Sequence, residues 1–347
     1  MTEKKQSISA FREPSVGGRG QRRFEDTFPS RCGENISRVR SEARYSLPKV
    51  IRKYDELRWY RAFFCKKELR PLEAFALRGL FCWGDVMINK DIDSGKPFDW
   101  GRTSEDYGKY RDIYPEKFYQ KILSLGIGIS GQRVLDIGTG TGVIPRNMYR
   151  FGAQFTGTDI SENQIAEAKR LAEISGMDIS FLCCPTEKLS FPENSFDAVT
   201  ACQCFFYFDH DTAAPKLAHF LTEKGKLAVL YMGWLPYEDK IAGASEELVL
   251  KYNPKWTGRG DVRNENFIPD VYSEYFRKLS AEVFDVKVHF TRESWNGRMK
   301  ACRGIGASLP DDEIAAFDRE HKTMLEKIAP ESFDILHYCA VTVLERL

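Results

Sequence analysis

The sequence predicts a doubly wound α/β domain, and three observations carry that prediction. Five runs between residues 133 and 232 are almost continuously apolar, where half-exposed strands would alternate: RVLDIG, QFTGTD, DISFLCC, FDAVTAC and KLAVLYM. Helix-compatible segments separate these runs, and that alternation yields a parallel sheet covered on both faces. The first run leads into a glycine-rich turn, Gly138, Gly140 and Gly142, which opens a helix. The length of 347 residues suits one α/β domain of about 250 residues plus an extension.

Taken in order, residues 1–48 mix Gly, Ser, Arg and Pro without periodicity and read as disordered. Residues 49–81 have helical apolar spacing broken at Pro71. Met87 is followed by INKDIDSGKPFDWG, a polar loop. A helical stretch then carries Tyr107, Tyr110, Arg111 and Tyr114 and restarts at Pro115, a good first-turn residue. Strand 133–138 and a short helix to about 150 come next, then strand 154–159. Ser161 caps the following helix in a capping box with Gln164, and Gly176 stops it. Strands at 178–184 and 196–202, a helix over 212–223 and a strand at 226–232 complete the parallel core. Residues 233–270 form an aromatic and polar insertion with Trp234, Tyr237, Tyr252 and Trp256. A helix over 270–281, a strand at 282–290, two helices and a strand at 333–347 follow, and the two late strands suit an antiparallel edge pair. The domain division expected is a basic, largely disordered extension over 1–86 and a folded domain over 87–347.

Composition narrows the function. Hydrophobic residues make up 42% and charged residues 29%, which excludes global disorder and a fibrous repeat. No apolar run reaches the roughly 18 residues of a membrane span. MTEKKQSISAFREPS has no apolar core and predicts no secretory signal. Nine irregularly spaced cysteines read as reduced thiols of a cytoplasmic protein. The net charge of +1 divides unevenly: residues 1–86 hold 19 Lys+Arg against 11 Asp+Glu. That basic arm reads as a solvated extension, and nothing in the acidic remainder points to nucleic acid.

The chemistry sits in VLDIGTGTG. Glycine is needed in such a turn for positive φ and close backbone approach to a ligand. The spacing is G-x-G-x-G with Val143 next, where a dinucleotide fingerprint wants Gly or Ala. Asp159 ends the following strand, where a carboxylate accepts both hydroxyls of a ribose. Asp136 and Asp159 together place negative charge beside the turn, a poor host for a pyrophosphate and a good one for a cationic nucleoside. Asp209-His210-Asp211 precedes a helix and reads as a cap, and no Cys/His spacing fits zinc, so no metal site is expected.

On these residues the chain resembles the class I S-adenosylmethionine (SAM)-dependent methyltransferases. LDIGTGTG resembles the family's first motif, TGTDIS its acidic second motif, CCPTEKLSFPENSFDAVTA the stretch around the third and fourth strands, and LTEKGKLAVL the entry to the fifth. VTACQCFFYFD is similar to the branch of ubiquinone-biosynthesis and trans-aconitate methyltransferases. The resemblance implies a Rossmann-like sheet of seven strands in the order 3-2-1-4-5-7-6 with an antiparallel edge strand. It implies SAM as cofactor, a SAM-binding core over about 130–232 and a cap at 233–270. The cofactor would meet Asp136, Gly138, Thr139, Gly140, Gly142, Asp159, Ile160, Thr186, Glu187 and Gln203. Pro185 stands where the family usually has Asp, and Phe206-Tyr207 replaces its usual His-Trp. The implied reaction is methyl transfer to an O, N or C atom of a small molecule. Tyr107, Tyr114, Trp234 and Arg298 are the candidate acceptor residues, with Arg303 as a second cationic anchor. The general base stays open among Tyr107, Tyr114, Tyr231, His210 and His289. A catalytically silent SAM-binding or RNA-associated module and a nicotinamide oxidoreductase remain as alternatives.

Overall fold

A computed structural model describes residues 80–83, 86–90 and 92–347 of the chain. Ten strands and eight α-helices follow one another among these described residues. Strands β1 (Leu80–Trp83), β2 (Val86–Asn89) and β3 (Phe98–Asp99) form a small antiparallel sheet. The main sheet holds β4 (Arg133–Ile137), β5 (Gln154–Asp159), β6 (Ser180–Cys183), β7 (Phe196–Cys202), β8 (Leu221–Trp234), β9 (Phe276–Thr291) and β10 (Ser332–Arg346). Their lateral order is β6-β5-β4-β7-β8-β10-β9. Numbered within this sheet alone, that is the expected 3-2-1-4-5-7-6. The helices are α1 (Ser104–Tyr110), α2 (Glu116–Ser124), α3 (Val143–Met148), α4 (Glu162–Ile174), α5 (His210–Phe220), α6 (Lys240–Tyr252), α7 (Arg292–Lys300) and α8 (Asp311–Ile328).

Local chemistry explains many of the boundaries. Pro115 stands at the N-cap of α2 in an extended conformation. Ser161 Oγ accepts the N–H of Gln164 at 3.3 Å and starts α4. Asp239 accepts the N–H groups of Ile241 and Ala242, both at 3.0 Å, and starts α6. The parallel strands are apolar because both faces are covered. Val134, Ala228 and Leu230 point into one core with Phe118 and Ile122 of α2, Met148 of α3 and Trp295 of α7. Their neighbours Leu135, Leu227 and Val229 point into the other with Leu217 and Phe220 of α5. Successive side chains on one strand therefore feed opposite cores.

Four expectations are corrected. The antiparallel member of the main sheet is β10, which lies between β8 and β9, so the edge strand β9 itself runs in the direction of the core strands. The helix expected over 270–281 is a short 3-10 turn, Asp270–Glu274, followed at once by strand. Pairing along β10, from Phe276 opposite Arg346 to Thr291 opposite Ser332, overrides the helical character of RKLSAEVF. The polar loop after Met87 contains β2 and β3, because Ile92 and Phe98 are buried with Met87 and Ala307 in a separate small core. The insertion contains α6, whose Ala242, Leu248 and Val249 join the first core. The readings of residues 1–48 and 49–79 fall outside the described residues, while Leu80 and Phe81 are already strand.

Candidate functional site

The main cleft opens where β4, β5, β7 and β8 end, the expected place for a ligand in a doubly wound sheet. It encloses about 1300 Å³ of empty space, its open mouth included. One side of it is built from the glycine turn. Gly138 has φ +61°, and a Cβ there would lie 2.7 Å from the Cβ of Cys204, so only glycine fits. Gly140 donates its N–H to Asp159 Oδ2 at 2.8 Å, and the other carboxylate oxygen accepts the N–H of Ser161 at 2.9 Å. These bonds lock Asp159 at the cleft wall beside the turn.

Ile160, Pro185, Thr186 and Glu187 continue this wall. Glu187 accepts the N–H of Asp209 at 2.9 Å and so ties the wall to the start of α5. Gln203 directly follows β7 at φ +88°, a sparsely populated conformation for a residue with a side chain. Its Nε2 donates to the carbonyl of Met232 at 2.7 Å, joining the turn side of the cleft to the end of β8.

Ten of the residues predicted for the cofactor and the acceptor line this cleft: Gly138, Gly140, Asp159, Ile160, Thr186, Glu187, Gln203, Trp234, Arg298 and Arg303; so does the base candidate Tyr231. Asp136, Thr139, Gly142 and Tyr114 do not. Asp136 is 1% exposed and accepts the hydroxyls of Thr139 and Thr200, each at 2.6 Å. It fastens the turn to β7 from behind, and burial pushes its carboxyl up to about 7 against the pull of those two hydroxyls. The negative charge expected beside the ligand is therefore that of Asp159. Gly142 caps α3 with φ +74° and packs against Phe181. Tyr114 stacks on Phe118 with ring centroids 4.8 Å apart, which turns it into a packing residue. Tyr107 lies on α1, and its side chain is outside the described residues.

The opposite side of the cleft draws on distant parts of the chain. Trp234 is 6% exposed, its Nε1 donates to Glu246 at 2.6 Å, and the Arg298 guanidinium lies 4.9 Å over its ring. Arg303 is held by Asp93 at 3.0 Å, by the Tyr207 hydroxyl at 3.0 Å and by the Thr257 hydroxyl at 2.9 Å. Asp93 is fully buried, so this network pins the small sheet, the insertion and the segment after α7 together. The Tyr231 hydroxyl donates to Asp261 Oδ2 at 2.6 Å, and both residues line the cleft. Sequence reasoning missed Asp261, Tyr207, Trp100 and Cys204 as site residues. Cys204 and Tyr207 stand just past strand β7, a position that marks them, whereas nothing local marks Asp261. Among the other candidates for a base, His289 pairs with Asp334 at 3.0 Å and His210 lies 3.3 Å from the Tyr272 hydroxyl, and neither lines the cleft. Among the described residues no cluster of His, Cys, Asp and Glu is arranged to hold a metal. No described helix is long and apolar enough to cross a membrane.

These residues fit a cationic nucleoside. A wall carboxylate sits at the end of β5, the turn presents bare backbone, and Ile160 and Pro185 offer an apolar slot for a base. The family model described as "Methyltransferase domain" matches residues 135–229. The ubiquinone biosynthesis O-methyltransferase of Rhodopseudomonas palustris is 31% identical over 180 residues, covering 50% of this chain and 67% of that one. The chain belongs to the class I SAM-dependent methyltransferases. Another relative in this methyltransferase family, the ubiquinone biosynthesis O-methyltransferase of Bradyrhizobium diazoefficiens, is 33% identical over 171 residues, or 48% of this chain and 65% of that one. The demethylmenaquinone methyltransferase of Thermus thermophilus is 32% identical over 117 residues, 33% of this chain and 53% of that one. The chain thus spans somewhat less than two thirds of several of the curated methyltransferases it matches.

Proposed function

We propose that this chain transfers the methyl group of SAM to a small, ring-bearing acceptor seated between the glycine turn and the 233–270 insertion. The single observation that supports this most is the continuity of the cleft. The Asp159–Gly140 wall and the Trp234, Tyr231 and Arg298 wall line one space, bridged by Gln203. In this reading Asp159 takes the ribose hydroxyls, Ile160, Pro185 and Thr186 flank the adenine, and Gly138, Gly140 and Gln203 face the methionine part. When bound, SAM supplies an electrophilic methyl on a sulfonium. The residues of the chain contribute mainly position and exclusion of water, because charge is neutralised rather than created as a methyl group moves. The aromatic wall suits a partly apolar ring, and Arg298 favours an anionic substituent on it, whereas Arg303, the other expected anchor, is neutralised by Asp93. The quinone-related names of the relatives agree with an acceptor of this kind. Residues 87–347 form the methyltransferase domain in this reading, the basic stretch before them is an extension, and reduced thiols, Cys302 and Cys339 among them, suit the cytoplasm.

The test is to incubate the full chain with methyl-labelled SAM and a metabolite extract. Label should enter a small molecule. Label found only in protein or RNA, or none transferred, overturns the reading, and the last result favours a silent SAM-binding module.

A further inference from the structure

We propose that Asp261, positioned by Tyr231, is the proton acceptor for a hydroxyl group, so that the atom methylated is the oxygen of a phenol or alcohol. This rests on the methyl-transfer reading above and specifies its acceptor. Three carboxylates line the cleft: Asp159, Glu187 and Asp261. The first two accept backbone N–H groups on the turn side. Asp261 instead accepts the Tyr231 hydroxyl at 2.6 Å on the insertion side, where the acceptor lies. The approach is built into the strand. A Cβ at Gly233 would overlap Asp261 Oδ2, so the carboxylate reaches β8 only because residue 233 has no side chain. Tyr231 and Gly233 flank Met232, whose carbonyl receives Gln203, so the Asp261 pair lies next to the residue that bridges the two walls.

The surroundings favour proton uptake by Asp261. Burial raises the Asp261 carboxyl above its usual range, against the lowering effect of the Tyr231 hydrogen bond. The charged and titratable groups around the pair are Tyr338 on β10, Glu246 on α6 and Arg111 after α1. The cleft thiols Cys202 and Cys204 are pushed well up by burial and stay protonated.

The step balances as follows. The acceptor O–H bond breaks and its proton goes to Asp261. The oxygen electron pair forms the new O–CH3 bond while the S–CH3 bond breaks and leaves its pair on sulfur, turning a sulfonium into a neutral thioether. The proton then passes from Asp261 to water.

The experiment compares wild type, Asp261→Asn and Tyr231→Phe as full chains. Calorimetry with S-adenosylhomocysteine comes first, and binding within about threefold of wild type is expected for both variants. The chromogenic phenol 4-nitrocatechol is then titrated by absorbance in the presence of S-adenosylhomocysteine. A carboxylate facing the phenol hydroxyl opposes its ionisation, so the bound phenol should ionise at a pH about one unit lower in Asp261→Asn than in wild type. With SAM in place of S-adenosylhomocysteine, and with catechol, whose hydroxyl stays protonated at neutral pH, in place of its nitro derivative, Asp261→Asn should lower kcat at neutral pH far more than it raises KM, with recovery at alkaline pH where the catechol ionises unaided. Tyr231→Phe should move the acidic limb of the wild-type pH profile and keep most of kcat. Equal phenol midpoints in wild type and Asp261→Asn, or no phenol bound by wild type, overturn the proposal. Failure of all three proteins to bind S-adenosylhomocysteine overturns the methyl-transfer reading instead.

Discussion

The two walls of the cleft are built in opposite ways. The wall proposed for the cofactor comes from residues 138–209, where Asp159 meets the turn after β4 and Glu187 meets the start of α5. The wall proposed for the acceptor joins Tyr207, Tyr231, Trp234, Asp261, Arg298 and Arg303, with Asp93 and Thr257 holding it from behind, and these residues span more than half of the chain. One wall is fixed by local backbone geometry and the other by long-range side-chain bonds. The first should therefore lose ligand affinity when altered, and the second should lose stability.

Trp234→Ala carries the largest expected effect. It empties a nearly fully buried site and removes the donor to Glu246. Unfolding in denaturant should show a loss of roughly 3–5 kcal/mol. S-adenosylhomocysteine affinity of the folded fraction should stay within about threefold. A stability loss below about 1 kcal/mol, or loss of cofactor binding, breaks the division between the walls.

Asp159→Ala reports on the other wall. Removing the acceptor for two ribose hydroxyls costs roughly 1.5–3 kcal/mol per charge-assisted bond, so calorimetry should show affinity reduced at least about tenfold. Stability falls less than for Trp234→Ala, since the change removes two backbone hydrogen bonds and no buried aromatic side chain. Unchanged affinity would place the ribose elsewhere.

How legible each wall is in the sequence follows from the same contrast. Gly138, Gly140, Asp159 and Gln203 stand at strand ends that the apolar runs mark, so their convergence is readable one segment at a time. Asp136 shows the limit of such reading: its place in the motif is plain, but that it faces Thr139 and Thr200 and not the cleft is a property of packing. Asp261 has no local signal, because its partner lies thirty residues away and the intervening helix α6 is hidden in an aromatic stretch. The helix expected over 270–281 fails for the same reason. Its strand identity is set by partners on β10, more than fifty residues on.

The walls should also respond to acid with opposite sign. Behind the cofactor wall, Asp136 holds its proton up to about 7. An unfolded chain releases that proton near its ordinary value of 3.8, so this contribution is full at acid pH and is lost as pH rises toward 7. Behind the acceptor wall, burial holds His321 and His337 down to about 4. Unfolded histidines bind protons below about 6.5 that the folded ones refuse, so their contribution is full above that pH and is lost as pH falls toward 4. A tenfold difference in proton affinity between the folded and unfolded chain is worth about 1.4 kcal/mol. In denaturant midpoints measured from pH 4 to 7, Asp136→Asn should steepen the acid loss. His321→Gln, which keeps a partner for Asn296 and Ser245, should flatten it. Identical slopes in all three proteins would contradict the burial of these groups.

If the glycine turn admits a cationic nucleoside, with Asp159 on its ribose, and not a dinucleotide, calorimetry of the full chain with SAM and with NAD separates the two ligands. The account predicts SAM binding with a Kd on the order of micromolar. The G-x-G-x-G turn, with Val143 where a dinucleotide fingerprint has a small residue, leaves NAD weaker by at least about a hundredfold. NAD binding as tight as SAM, or SAM binding that survives Asp159→Ala unchanged, would contradict it.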